Sequence, residues 1–468
     1  MKKHLKLLSM MLVVVIFFGV LSGCGKDDVA QDEAKDISTE KSDDVEKDAD
    51  EKGDEVSSDN VELDCYLFDY LSKEGFANSV KKFEEDNPNI KIEAHETGDY
   101  DTKIAILIAG GEEIDIIAVR NPIQKLEWAN AGTIIPLDEL AEKHDFDFEE
   151  EFGKKVEEVM VDGKPYTMPV FDSLWLMLYN KSIFDEAGVE YPSSEKAMTW
   201  SEYRDLAKKL TMGEGPNKKY GAFHMTWPMY WYTMGSSKLG GGDKFYTEDG
   251  TASNIEDPAW AESIELAYEM QNVDKSVLPY IDVKSQKLKV PSFNTGDFGM
   301  FFTGDFALSL CRPEERDFKI GVAPLPRPDD SDEDYTYTFG VYGSLAISET
   351  SEHKEEAFKM VMDVSKNMGE ISTDTIPAVV TDETKTKICG SLEEIFESDG
   401  ITAEDFENVL FNTKDWIPEK ITGIAASEYE AIAEEEVEKY FVDMQDLETT
   451  IKNIKERADE AIEKALNK

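Results

Sequence analysis

Four aromatic rings fall within the eight residues 225–232 (MTWPMYWY), and a Gly240, Gly241, Gly242 run follows. Trp175 and Tyr179 share one face of an alternating stretch, with Asp172 just before them. Flat rings stack on the apolar faces of sugars and on cations, while carboxylate, amide and guanidinium groups hydrogen-bond to hydroxyls. A concave site combining the two suits an uncharged polar solute. Core packing competes for the same rings, and for the 225–232 cluster both readings stay open. Signatures of bond-breaking chemistry are missing: there is no GxxxxGK loop, HExxH pair, GxSxG elbow or EF-hand loop. The five histidines (His4, His95, His144, His224 and His353) are scattered, and His224 reads as a hydrogen-bonded structural residue. Paired carboxylates arise by chance in so acidic a chain. The expectation is a binding protein rather than an enzyme, with no cofactor and no metal.

The charge balance narrows the partners. One hundred acidic against 49 basic residues give a formal net charge of -51. A nucleic-acid polyanion would be repelled over most of such a surface. A strongly anionic solute is disfavoured too, unless a basic pocket overrides the average. The four cysteines (Cys24, Cys65, Cys311 and Cys389) form no CxxC or Cys/His cluster, so neither a disulfide-stapled fold nor a zinc-finger site is expected.

The elements that must position these rings alternate between strand and helix. Residues 61–67 alternate like a strand, 74–87 carry Phe76, Val80 and Phe83 on one helical face before Pro88, and 90–94 form a second strand. A helix over 102–109 ends at Gly110 and Gly111, and 114–119 is a fully apolar strand. This alternation predicts an α/β fold with a parallel sheet covered by helices. Further strands are expected at 164–170, 174–179, 298–303, 319–323 and 345–347. Helices are expected at 200–210, 259–270, 353–364, and from Ser427 to the end.

The chain opens on Lys-Lys-His-Leu-Lys, continues with an apolar run too short for a confident membrane span, and reaches Leu21-Ser22-Gly23-Cys24. The cysteine after Leu-Ser-Gly resembles the lipobox of bacterial lipoproteins. That resemblance implies residues 1–23 as a signal peptide, cleavage before Cys24, and a lipid on its sulfur tethering the protein outside the cell membrane. Residues 24–60, dominated by Asp, Glu, Lys and Ser, read as a disordered acidic tether.

An ordered series of short motifs runs through the rest: 114–117 (IDII), 131–137 (AGTIIPL), 163–169 (GKPYTMP), 178–189 (LYNKSIFDEAGV), 199–210 (TWSEYRDLAKKL), 293–300 (FNTGDFGM), 304–306 (GDF), 322–326 (VAPLP) and 343–348 (GSLAIS). It resembles the extracellular solute-binding proteins of ABC importers, in the carbohydrate branch similar to maltose-binding protein. The resemblance implies a periplasmic-binding-protein-like fold of two α/β lobes joined by a hinge, with a ligand cleft between them. It places the first lobe at 61–168 plus about 339–368 and the second at 169–326 plus about 369–468. Hinge crossings are implied near 168–172, 326–339 and 366–377.

The resemblance also implies solute contacts at Arg120 and Asn121, at Trp227, Tyr230 and Trp231, at Gly304, Asp305 and Phe306, and at Tyr342 reaching in from the first lobe. Phe306 stands where sugar-binding relatives often carry a tryptophan, so one stacking platform is smaller. The implied partners are a small-molecule solute, a sugar foremost, and the permease subunits of an ABC importer, with the binding protein itself a monomer. Two other readings are a carrier of cationic solutes such as polyamines, with Asp172 and Asp305 as counter-charges, and an extracellular carbohydrate-active enzyme.

Overall fold

A computed structural model describes residues 60–97, 100–227, 229–372 and 375–467. The leader, Cys24 and all but the last residue of the acidic tether lie outside the described residues. No helix among the described residues is long and apolar enough to cross a membrane.

The first strands follow the sequence pattern closely: β1 (Val61–Tyr66), β2 (Ile90–His95) and β3 (Ile116–Val119), with the helices Glu74–Asp86 and Tyr100–Gly110 between them. β1 pairs in parallel with both neighbours. The chain then runs through the short helix Pro122–Asn130 into one long strand, β4 (Met168–Asn180), all of it buried except Ser173. The remaining strands are β5 (Tyr220–Ala222), β6 (Phe298–Gly304), β7 (Ile320–Ala323), β8 (Tyr337–Ile347) and β9 (Asp415–Pro418).

All nine strands join one sheet in the order β2-β1-β3-β8-β4-β6-β5, with β7 also on β4 and β9 also on β8. Along this path the pairing is parallel at the two ends and antiparallel in the middle, with β9 joining β8 in parallel, so the expected parallel sheet is interrupted at its centre by antiparallel pairs. The reason is that β4 and β8 are through-going strands. The separate strands expected at 164–170 and 174–179 merge into β4, apart from a small hairpin at Met160–Val161 and Lys164–Pro165.

Two apolar cores share this sheet. One gathers Leu63, Ile117, Val170, Phe171 and Leu345 under the helix Lys354–Ile371. The other gathers Leu174, Trp175, Phe302, Tyr337 and Phe339 with helices reaching to Ile462. The cores therefore divide on β4 between Phe171 and Leu174, and on β8 between Phe339 and Tyr342. At that division the β4–β8 register shifts by one residue between Gly343 and Ser344, a bulge of the kind that bends a strand locally. A Cβ at Gly343 would sit about 2.1 Å from the Phe171 ring, so the close approach of the two strands there requires glycine.

The second core is fixed by strong local signals. Thr199 and Glu202 form a reciprocal capping box on the helix Trp200–Leu210, which then buries Trp200, Tyr203, Ala207 and Leu210 on one face. Cys65, Cys311 and Cys389 are buried free thiols. Among the described residues no group of three or more His, Cys, Asp or Glu is arranged to hold a metal.

Candidate functional site

Between the two cores lies a cavity of about 640 Å³. Its first wall comes from the loops after β1 and β3. Phe68 and Asp69 follow β1, and Arg120 and Asn121 follow β3, so both loops sit at the carboxyl ends of parallel strands, the usual ligand edge of such a sheet. Asn121 also caps the helix Pro122–Asn130, its side chain accepting from the Gln124 amide at 3.0 Å. The Arg120 guanidinium lies over the Phe68 ring at 4.6 Å and pairs with Asp101. Phe68 holds a left-handed backbone (φ 55°), a conformation costly for a bulky residue and concentrated at functional sites.

The second wall is aromatic. Trp227 meets Trp175 edge-on, with ring centroids 6.1 Å apart, and lies 6.0 Å from Phe306. Trp175 is buried and donates from Nε1 to the Glu419 carboxylate at 2.8 Å. The other Glu419 oxygen pairs with Lys420 at 3.0 Å. Gly304 stands opposite Trp175 in the β4–β6 register, and a Cβ there would lie about 2.2 Å from the Phe306 ring. Gly304 thus acts by leaving room for Phe306 rather than by lining the cavity.

Asp305 faces the first wall. Its backbone N–H donates to the Leu174 carbonyl, and Ser173 donates to its carboxyl at 3.0 Å. Burial raises the carboxyl to about 7, against the opposing pull of Lys73 across the cavity. Lys73 itself sits 5.1 Å above the Phe171 ring.

Of the residues predicted to touch solute, Arg120, Asn121, Asp172, Trp175, Trp227, Asp305 and Phe306 border this cavity. Asp172 stands opposite Tyr342 in the β4–β8 register, and its carboxylate turns away with that ring, one oxygen pairing with Lys155 at 2.8 Å. Tyr230, Trp231 and Tyr342 are not brought to it. Tyr230 is buried behind Trp227, stacked on Phe302 and donating to the Phe302 carbonyl at 2.6 Å. Trp231 is buried against Tyr232 and Phe245. The helix Met229–Leu239 starts two residues after Trp227, and these rings turn into the second core while Trp227 stays at the cavity. Tyr342 fails for a reason of period two: Val341 and Gly343 line the cavity, and Tyr342 points to the other face of the sheet, beside Lys155 and Trp416.

The cavity also recruits Phe68, Asp69, Lys73, Ser173, Arg312, Glu419 and Lys420, which sequence reasoning missed. Phe68 and Asp69 had a signal, since they follow β1 as Arg120 and Asn121 follow β3. Glu419 and Lys420 had none, being one more charged pair in an acidic chain. His224 is structural as expected: it shares a 3.0 Å hydrogen bond with the Tyr203 hydroxyl, and burial lowers its imidazole to about 3.

Comparison with known proteins bears on what this cavity is for. Residues 71–361 match the family model of the bacterial extracellular solute-binding proteins. A binding protein of Brucella abortus is 27% identical over 318 residues, spanning 65% of this chain and 72% of the relative. The diacetylchitobiose binding protein DasA of Streptomyces coelicolor is 25% identical over 297 residues, 60% of this chain and 65% of that protein. Among solved structures, an ABC substrate-binding protein from Listeria monocytogenes in complex with cycloalternan superposes with a TM-score of 0.72 at 25% identity, covering 87% of this chain and 100% of that one. A sugar transporter from Rhizobium etli in an open conformation gives 0.68 at 24% identity, over 85% and 98%. The fold is thus the two-lobe fold of periplasmic binding proteins, and the chain belongs to the family of bacterial extracellular solute-binding proteins.

Proposed function

We propose that this protein captures a sugar or oligosaccharide between its lobes and hands it to the permease of an ABC importer. The observation that carries this reading is the cavity itself, with the Trp227–Phe306–Trp175 corner on one wall and the hydrogen-bonding groups of Asp69, Arg120 and Asn121 on the other. A sugar ring presents an apolar face to the first and hydroxyls to the second. The solved relatives named for cycloalternan, maltose and mannotriose support the same class. Solute settles on one wall, rotation about β4 and β8 brings the other onto it, and the closed form is what the permease reads. No bond in the solute is broken, and incubation with labelled oligosaccharides should release no shorter products.

The cationic-solute reading is weaker. One oxygen of the Asp172 carboxylate it needs is paired with Lys155, and the lining balances its carboxylates (Asp69, Asp172, Asp305, Glu419) with four cations (Lys73, Arg120, Arg312, Lys420), so it offers no net negative charge to hold a cation. A lipid on Cys24 would hold the protein, as a monomer, at the outer face of the cell membrane. Replacing Cys24 by Ser should then abolish labelling with a fatty-acid probe and release the protein to the medium.

The test of the solute class is a thermal-shift screen of sugars, polyamines and amino acids. A ligand that binds only the folded state stabilises it by about 2.7 kcal/mol at a hundredfold excess over its Kd. A shift with one sugar series is expected, and a shift with polyamines alone would contradict the carbohydrate assignment.

A further inference from the structure

The two lobes also touch outside the solute cavity. Ser427 donates from its hydroxyl to the Glu127 carboxylate at 2.7 Å, from 300 residues away in the chain. Glu127 lies on the helix Pro122–Asn130, whose Trp128 and Ala129 pack on the first core. Ser427 lies on the helix Ala426–Phe441, which buries Tyr429, Ala433 and Val437 in the second. Each helix continues a cavity wall: the first follows Asn121 directly, and the second follows Glu419 and Lys420 after a short loop. The bond therefore sits at the rim, on elements that carry solute-lining residues.

The second helix is receptive to such a partner. Its N-cap is Ala425, held in a left-handed backbone (φ 56°) and making no side-chain hydrogen bond to the first turn. Alanine is a poor N-cap, and the positive end of a helix dipole favours a nearby carboxylate. Glu127 brings one from the opposite lobe to the second residue of this helix. Elsewhere on the rim like charges oppose each other across the lobes. Lys420 stands in the field of Arg120, and Asp243 adds to the burial that raises the Glu158 carboxyl. Approach of the lobes thus works against repulsion at those points and gains a bond at Glu127.

We propose that Glu127 and Ser427 are a positioning pair that latches the lobes together and favours the closed form whatever solute it holds. This rests on the closure reading above and adds a contribution that the solute does not supply. A contact made only when the lobes are together stabilises the closed form alone, so it tightens apparent affinity for every solute by one factor. A ring such as Trp227, which touches the solute, has no reason to act equally on all of them.

The test compares Glu127→Ala, Ser427→Ala, the double variant and Ser427→Thr, which keeps the hydroxyl. Each is titrated calorimetrically with diacetylchitobiose, maltose and mannotriose, and each is spin-labelled at Lys81 and Lys452 for interspin distances. Both side chains are exposed, so all four variants should fold with the wild-type Tm. Either alanine variant is expected to weaken every sugar that binds by the same factor, about threefold to fivefold. The double variant should lose no more than a single one, because the two side chains make one contact, and Ser427→Thr should behave as wild type. Wild-type affinity in both alanine variants would overturn the latch and leave the carbohydrate reading standing. So would losses that differ from sugar to sugar, or losses that add in the double variant. If none of the three sugars binds, the carbohydrate reading falls and the free protein decides the latch. A short-distance component that shrinks in both alanine variants would sustain it, and an unchanged distribution would overturn it.

Discussion

The two walls of the cavity are held in place by different means. The aromatic wall is an outgrowth of a core: Trp227 leans on Trp175, Trp175 is pinned by Glu419, and Phe306 folds over a glycine that must stay a glycine. The opposite wall is made of loop ends. Arg120 and Asn121 are oriented by local contacts with Phe68, Asp101 and Gln124, and Phe68 sits in a strained backbone. Damage to the first wall should therefore spread into stability, whereas damage to the second should stay in binding. Surfaces of the first kind are preorganised to receive a solute, and those of the second kind can close onto it at little cost to the fold.

The sharpest break of this comparison contrasts two tryptophans four residues apart. Trp231→Ala removes a fully buried ring and should cost about 3–5 kcal/mol of stability in chemical denaturation, with solute affinity within about twofold of wild type. Trp227→Ala removes the stacking platform and should weaken binding by about 2 kcal/mol, roughly 30-fold in Kd by calorimetry, while stability falls by less than in Trp231→Ala. On the loop wall, Arg120→Ala should weaken binding about tenfold through lost hydrogen bonds to the solute and leave the denaturation midpoint nearly unchanged. A large stability loss in that variant would erase the distinction between the walls.

The smallest effect expected is a pH dependence centred on Asp305. Its carboxyl is raised from the ordinary 3.8 to about 7 by burial. The folded state thus holds a proton that the unfolded chain releases. The stability this gives is complete below the unfolded value and is lost as pH rises through about 7. Binding should move the other way, because an ionised carboxylate accepts hydroxyl hydrogen bonds more strongly than a neutral one. Affinity is expected to rise about fivefold between pH 6 and pH 8, and Asp305→Asn should flatten that profile.

Sequence pattern exposed the elements better than the site. Strands β1 to β3 and the capped helix Trp200–Leu210 were legible because alternation, apolar runs and capping residues are local signals. The central strands were not, because β4 and β8 run through both cores and are buried except at Ser173 and Val341, which hides their length behind an apparent break near Asp172. Within the site, Arg120, Asn121 and the GDF turn came from the resemblance to solute-binding proteins, and all but Gly304 border the cavity. The aromatic stretch could be read only in part: whether Trp227 or Trp231 faces the cavity depends on where the helix Met229–Leu239 begins, and nothing in the run of aromatic residues marks that. Tyr342 was lost to strand parity, which shifts with one bulge of register.

Spin labels report most directly on whether the two walls meet around a solute. With one label at Lys81, on the helix Glu74–Asp86 of the first core, and another at Lys452, on the helix Leu447–Leu466 of the second core, the interspin distance can be followed as sugar is added. A shorter and narrower distance distribution at saturation is the expected result, with Trp227→Ala requiring far more sugar to reach it. Saturable sugar binding with an unchanged distribution would contradict closure of the two walls on the solute.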